Sequence, residues 1–162
     1  MNFTGKQKTL TYTQLNNAKP EEVFPLLCPV REKDWLDGWN YQMVHSKSGL
    51  IEQDCVFTTP HHGDQVTVWQ VTQYDIENMK IEFLRVSPAE HVVKINISLA
   101  PNPEGNTIVN ISYQFTALNE AQNELIENEL EREFKNNMEW WEKAINYYLE
   151  FGKMLKNSSV LD

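Results

Sequence analysis

The stretch Glu120–Leu155, EAQNELIENELEREFKNNMEWWEKAINYYLEFGKML, decides the fold. It contains no proline and a single glycine, Gly152. At about 100° per residue, Ile126, Leu130, Phe134, Met138, Trp141, Ile145, Tyr148 and Leu155 fall within an arc of roughly 140°. Glu124, Arg132, Glu139, Glu142, Lys143 and Glu150 take the opposite side. The pattern predicts one amphipathic helix, about 50 Å long at 1.5 Å per residue. An apolar stripe of that length needs a surface of similar length to cover.

The preceding residues supply that surface. His91, Val93, Ile95, Ile97 and Leu99 alternate with Val92, Lys94, Asn96 and Ser98, and Val109, Ile111, Tyr113 and Phe115 alternate with Asn110, Ser112 and Gln114. Pro101–Asn106 between them has turn composition. One apolar and one polar face predict an antiparallel sheet covered on one side. Further strands are predicted at Lys8–Leu15, Tyr41–Ser46, Leu50–Thr59, Val66–Tyr74 and Lys80–Val86, giving about seven. Ile51, Cys55 and Phe57 are expected to share a face. For strands 65–74 and 80–86 the inward face stays open, because both faces carry apolar residues.

Two short helices are predicted after the first strand. Pro20-Glu21-Glu22 opens one, with proline in the first turn and acids at the positive end of the dipole. Pro29 opens the second, which runs through Trp35 and ends at Gly38. The predicted class is therefore α+β, a curved antiparallel sheet wrapped around a long C-terminal helix. The 162 residues are expected to form one domain, with 157–162 as a flexible tail.

Composition narrows the partners. The net charge of −9 and the absence of any Lys/Arg run argue against a nucleic-acid interface or a polybasic membrane patch. No apolar run reaches the roughly 18 residues of a membrane span, and the start has no apolar leader, so a cytoplasmic protein is expected. Cys28 and Cys55 form neither a CxxC pair nor a zinc pattern, and read as small buried hydrophobes, with one disulfide left open.

Several stretches carry a family resemblance: LCPVREKDWLDGW (Leu27–Trp39), SKSG (Ser46–Gly49), VWQVTQYD (Val68–Asp75), YQFTAL (Tyr113–Leu118) and WEKAINYYL (Trp141–Leu149). Together with the element order, they resemble the helix-grip fold of the START/Bet v 1-like superfamily, also called SRPBCC. That superfamily includes polyketide cyclases and lipid-transfer domains, and the chain looks like a bacterial subgroup of it. The resemblance implies a cavity between the long helix and the concave sheet face, rimmed by the short helices. It carries no reaction, because the fold hosts binders, carriers and enzymes alike.

Candidate residues follow. Phe57, Trp69, Phe83, Val93, Ile95, Tyr113, Phe134, Met138 and Trp141 would line the cavity; the competing reading is a filled core. Trp35, Trp39 and Tyr41 fall where the resemblance puts the rim, and their rings could stack on a ligand. The alternative is a clasp holding the short helices to the sheet. Arg31 could clamp a carboxylate with its planar fork, or simply pair with a neighbour. Glu32, His91 and Tyr113 are the acid/base candidates. Arg85 joins them if its strand face points inward, and Glu127 falls inside the apolar arc of the helix.

His61-His62-Gly63-Asp64 invites a metal reading. Adjacent histidines on a turn are expected to point apart and to lack a third ligand, so no metal is predicted, and no cofactor either. GxGxxG, phosphate-loop, HExxH and GxSxG patterns are all absent.

The leading expectation is binding or transport of a small hydrophobic ligand, lipid-like, aromatic or polyketide-like, by a monomer or homodimer. Burying about 300 Å² of ligand at 25 cal/mol/Å² gives roughly 7 kcal/mol gross, which ordering costs reduce to micromolar affinity. The alternative is an enzyme of cyclase, dehydratase or hydrolase type in the same cavity. The third reading is an interaction protein like Hsp90-cochaperone relatives of the fold. Polar side chains converging in the cavity would favour the enzyme, a purely apolar void the carrier, and a filled core the interaction protein.

Overall fold

The structure, a computed structural model, describes residues 2–157. Among them, β1 (Gln7–Asn16) is followed by α1 (Pro20–Val23), a 3-10 turn at Phe24–Leu26 and α2 (Pro29–Trp35). Then come β2 (Gln42–His45), β3 (Val56–Pro60), β4 (Val66–Asp75), β5 (Lys80–Ser87), β6 (His91–Pro101) and β7 (Thr107–Ala117). Two helices close the chain, α3 (Glu120–Asn128) and α4 (Leu130–Phe151).

The seven strands form one antiparallel sheet in the order β1-β7-β6-β5-β4-β3-β2. Strands β2 to β7 meander through short loops, and β1 adds to the outer edge of β7. Register settles the faces that sequence left open. Phe57 pairs with Trp69, Trp69 with Arg85, Arg85 with Val93, and Val93 with Phe115. The next inner row joins Val71, Phe83, Ile95 and Tyr113. Side chains two apart on a strand share a face, so Trp69, Phe83 and Arg85 all point to the concave side.

Helix α4 lies against that side. Its buried residues Phe134, Met138, Ala144 and Ile145 belong to the predicted stripe or adjoin it. Polar contacts fix it to β1. The Asn146 carboxamide accepts from Asn16 Nδ2 and the Asn17 N–H, and donates to the Leu15 carbonyl, each at 3.0 Å. Glu142 accepts from the Tyr12 hydroxyl at 2.6 Å and from the Leu15 N–H at 2.7 Å. Burial first, and then the Glu142 carboxylate, push the Tyr12 hydroxyl up to about 12.

Two expectations need correction. The single helix from Glu120 to Leu155 is interrupted at Glu129 (φ −129°, ψ −28°) and stops at Phe151, capped by Gly152 in the left-handed conformation (φ 68°). Lengths explain the break. The 22 residues of α4 span about 33 Å, and the 11 residues of β7 about 36 Å; a longer straight rod would overhang the sheet. Helix α3, capped by Asn119 through the Gln122 N–H at 2.8 Å, turns instead over the sheet end. Leu155, expected on the helical stripe, leaves the helix and bridges to Leu36.

The second correction concerns Leu50–Thr59. Only Val56–Pro60 is strand, and Asp54 has a left-handed φ of 71°. Cys55 is buried with Phe57, whereas Ile51 sits partly buried in the preceding loop. The Glu52 carboxylate accepts N–H bonds from Lys47 and Ser48 at 3.1 and 2.8 Å and folds this segment into a loop. Of the expected tail, Asn157 donates its N–H to Asp37 at 2.9 Å, and 158–162 lie outside the described residues. Cys28 and Cys55 are both buried free thiols.

Candidate functional site

The core is hollow between sheet and α4. An inner chamber of about 200 Å³ is walled by Trp39, Phe57, Trp69, Phe83, Ile95 and Ile97, and is closed by Met138 and Trp141 of α4 and by Pro29, Glu32 and Leu36 at α2. An outer chamber of about 380 Å³ lies toward the sheet end that α3 covers. Phe115, Ile126, Leu130 and Phe134 form its apolar wall, and His61, His62, Glu90, His91 and Gln122 its mouth. Arg85, Tyr113 and Met138 line both chambers and so mark the passage between them.

Two polar groups, Arg85 and Tyr113, meet there, and Glu32 faces the inner chamber. Arg85 is partly buried, with its Nε shielded from solvent, and among the described residues that Nε has no hydrogen-bond partner. Aromatic faces surround it instead: its guanidinium carbon is 5.3 Å from the Trp69 ring centre, 5.7 Å from Tyr113 and 6.0 Å from Phe115. Such contacts favour a cation but satisfy no N–H. Burial lowers the Arg85 pKa, opposed by the Tyr113 oxygen.

Glu32 projects from α2 into the inner chamber. Among the described residues its carboxyl has no hydrogen bond or ion pair, and burial alone pushes its pKa up to about 8. It is therefore a neutral acid at pH 7. Burial also raises the Tyr113 phenol; the Arg85 charge opposes that rise and Glu32 adds to it. At the outer mouth, His91 Nδ1 meets Gln122 Oε1 at 3.0 Å, and burial keeps this ring more neutral than usual.

The sequence candidates divide accordingly. Phe57, Trp69, Phe83, Ile95, Tyr113, Phe134, Met138, Trp141, Trp39, Glu32 and His91 all face a chamber. Arg31 is not brought there: its Nε pairs with Asp34 at 2.9 Å on the surface. Trp35 and Val93 are fully buried in packed core, Trp35 bonding the Leu26 carbonyl through Nε1 at 2.9 Å. Tyr41 stacks on Trp39 at 6.4 Å, behind the chamber wall. Glu127 turns out to solvent, where it meets Lys6.

The mouth of the outer chamber departs from expectation. The His61 and His62 rings do not point apart: their centres are 4.1 Å from each other. His61 Nε2 contacts Glu90 Oε2, and ligand atoms of His61, His62 and Glu90 lie within 4.8 Å of one another.

No protein-family model and no curated protein sequence matches the chain. Solved structures do match. The superposition on Ara h 8.0201 gives a TM-score of 0.66 over 88% of this chain and 97% of that one, at 13% identity. Norcoclaurine synthase from Thalictrum flavum gives 0.66 over 91% and 89%, at 9% identity. A protein of unknown function from Staphylococcus aureus gives 0.69 over 91% and 96%, at 10% identity. The fold is the Bet v 1-like helix grip.

Within this Bet v 1-like fold, the lining residues that sequence reasoning missed include Ile97, Leu36 and Pro29 in the inner chamber and Glu90, Phe115, Gln122, Ile126 and Leu130 in the outer one. Ile97 shares strand parity with Ile95 and was within reach of the alternation. Glu90 was not, because only the pairing of β4 with β5 brings its turn beside the β3–β4 hairpin. Among the described residues, no helix is long and apolar enough to cross a membrane.

Proposed function

We propose that the protein binds a small, largely apolar molecule that carries a carboxylate or similar anionic head, with its body in the inner chamber and its head on Arg85. The observation that carries this reading is the unpartnered Nε of Arg85, buried at the junction of the two chambers. A buried guanidinium without a carboxylate is costly, and a planar anion would satisfy it with paired hydrogen bonds. An apolar cavity of about 150 Å³ admits benzene, so about 200 Å³ fits a substituted ring or a short chain. The outer chamber falls in the usual size range of ligand pockets.

Isothermal titration with 2-naphthoate and its methyl ester tests this. A charge-assisted hydrogen bond contributes about 1.5–3 kcal/mol, so the acid is expected to bind roughly ten- to a hundredfold tighter than the ester, and R85M to erase the difference. Equal binding of acid and ester, or no binding of either, would overturn the reading.

A second reading has its own support. Glu32 is a neutral acid facing the same chamber as Tyr113, which suits protonation of a ligand carbonyl or enolate oxygen. The cavity is thus not purely apolar, and acid/base turnover on the bound molecule is the alternative to simple carriage. The fold does not choose between them, being shared by norcoclaurine synthase and Ara h 8.0201.

A further inference from the structure

We propose that His61, His62 and Glu90 bind one divalent transition-metal ion, of the zinc or ferrous class, at the mouth of the outer chamber. The donor set carries the proposal. Two imidazoles and one carboxylate are the ligand combination of open zinc sites and of two-histidine, one-carboxylate iron sites. Here the three ligand atoms already lie within 4.8 Å of one another. Tetrahedral zinc has bonds of about 2.0–2.2 Å to nitrogen and oxygen, which places its ligand atoms about 3.3–3.5 Å apart. His61 Nε2 and Glu90 Oε2, now in direct contact, would separate to that spacing around a bound ion.

The backbone holds both ligand-bearing turns. In the β3–β4 hairpin the His61 N–H donates to the Gln65 carbonyl at 3.1 Å, and the Gln65 N–H to the His62 carbonyl at 2.9 Å. In the β5–β6 turn the Glu90 N–H donates to Ser87 at 3.0 Å, and its carbonyl accepts from Leu118 at 2.7 Å. Asn119 Nδ2 reaches the Ala89 carbonyl at 2.8 Å and ties the same turn to the start of α3. Ala89 itself holds a left-handed φ of 63°, which residues with a side chain seldom adopt. These contacts fix the positions from which the ligands project, as metal sites require of their supporting shell.

Three protein ligands leave at least one coordination position open. All three residues line the outer chamber, the space that leads to Arg85, so an ion held by them would be reachable from it. The Arg85 charge opposes a second cation in that chamber, while the carboxylates of Glu90 and Glu133, both on its wall, favour one. The inference rests on different residues from the ligand reading and stands or falls separately from it.

The test is isothermal titration of Zn²⁺ and Co²⁺ into tag-free full-length protein dialysed against chelator. One metal per chain is expected, with a visible Co²⁺ absorption band of nitrogen coordination. H61A, H62A and E90Q should each weaken binding by about tenfold or more, with near-ultraviolet circular dichroism unchanged. H45A, at an exposed histidine on β2, should have no effect. R85M should retain or tighten metal binding while losing preference for 2-naphthoate. An absence of stoichiometric binding, or affinity that survives H61A combined with H62A, would overturn the metal site and reduce His61 and Glu90 to an ion pair.

Discussion

The guanidinium of Arg85 sits 5.3 Å above the Trp69 ring, its neighbour across β4 and β5, and among the described residues its Nε finds no acceptor. Aromatic rings recover only part of the solvation that a buried cation loses. The position is thus held at a cost to the fold. R85M keeps most of the side-chain length and removes the charge, and is expected to raise stability to urea by about 1 kcal/mol or more. A variant destabilised by more than about 1 kcal/mol would mean that Arg85 is part of the framework and not a ligand group.

Glu32 gives a pH dependence whose sign is fixed. Its carboxyl titrates at about 8 in the folded protein and at about 4.3 in an unfolded chain. Between those values the unfolded chain releases the proton and the folded chain retains it. Stability contributed by this group is therefore complete at acid pH, falls by up to about 1.4 kcal/mol per pH unit through the window, and levels off above pH 8. E32Q keeps a neutral side chain there and should show a flatter profile in urea melts from pH 5 to 9. Identical slopes for E32Q and the parent would show that Glu32 ionises normally.

Much of this was legible from residues alone. The alternation in His91–Leu99 and Val109–Phe115, and the 3.6-residue stripe of the last helix, follow from local periodicity, and the pleated sheet and its cover are where these patterns place them. What local pattern cannot carry is pairing. The inward direction of Trp69 and Phe83 came from register with β3 and β6. The choice between Arg31 and Arg85 turned on which charge had a neighbour to satisfy it: Asp34 lies three residues from Arg31 on the same short helix, whereas Arg85 meets the rings of Trp69, Tyr113 and Phe115. The break at Glu129 was hidden because neither proline nor glycine marks it; it follows from the length of the strands beneath.

The hollow itself predicts unequal tolerance of bulk. Ile97 lines the inner chamber, whereas Val93, two inner rows away on the same strand, is fully buried in packed core. I97F should place its ring in free space and cost less than about 1 kcal/mol, while V93F should cost roughly 1–3 kcal/mol through overpacking. Denaturant midpoints compare the two. Equal and large losses at both positions would indicate that the space beneath α4 is filled.

Asn146 anchors the helix that roofs the hollow. Its carboxamide makes three hydrogen bonds to the end of β1. At about 0.5–1.5 kcal/mol each, N146A is expected to lose about 2 kcal/mol in urea denaturation. A loss below about 0.5 kcal/mol would show that α4 is held by its apolar face alone.

The most direct measurement is a titration followed through the methionine methyl groups. Met138 lines both chambers, whereas Met43, Met79 and Met154 line neither. In protein carrying methyl-labelled methionine, 2-naphthoate should shift the Met138 resonance saturably and leave those of Met43, Met79 and Met154 in place, and R85M should weaken that response to the level of the methyl ester. A Met138 signal that stays fixed while the ligand is bound, or equal movement of Met43, Met79 and Met154 with it, would contradict an anion-headed ligand seated between the sheet and α4.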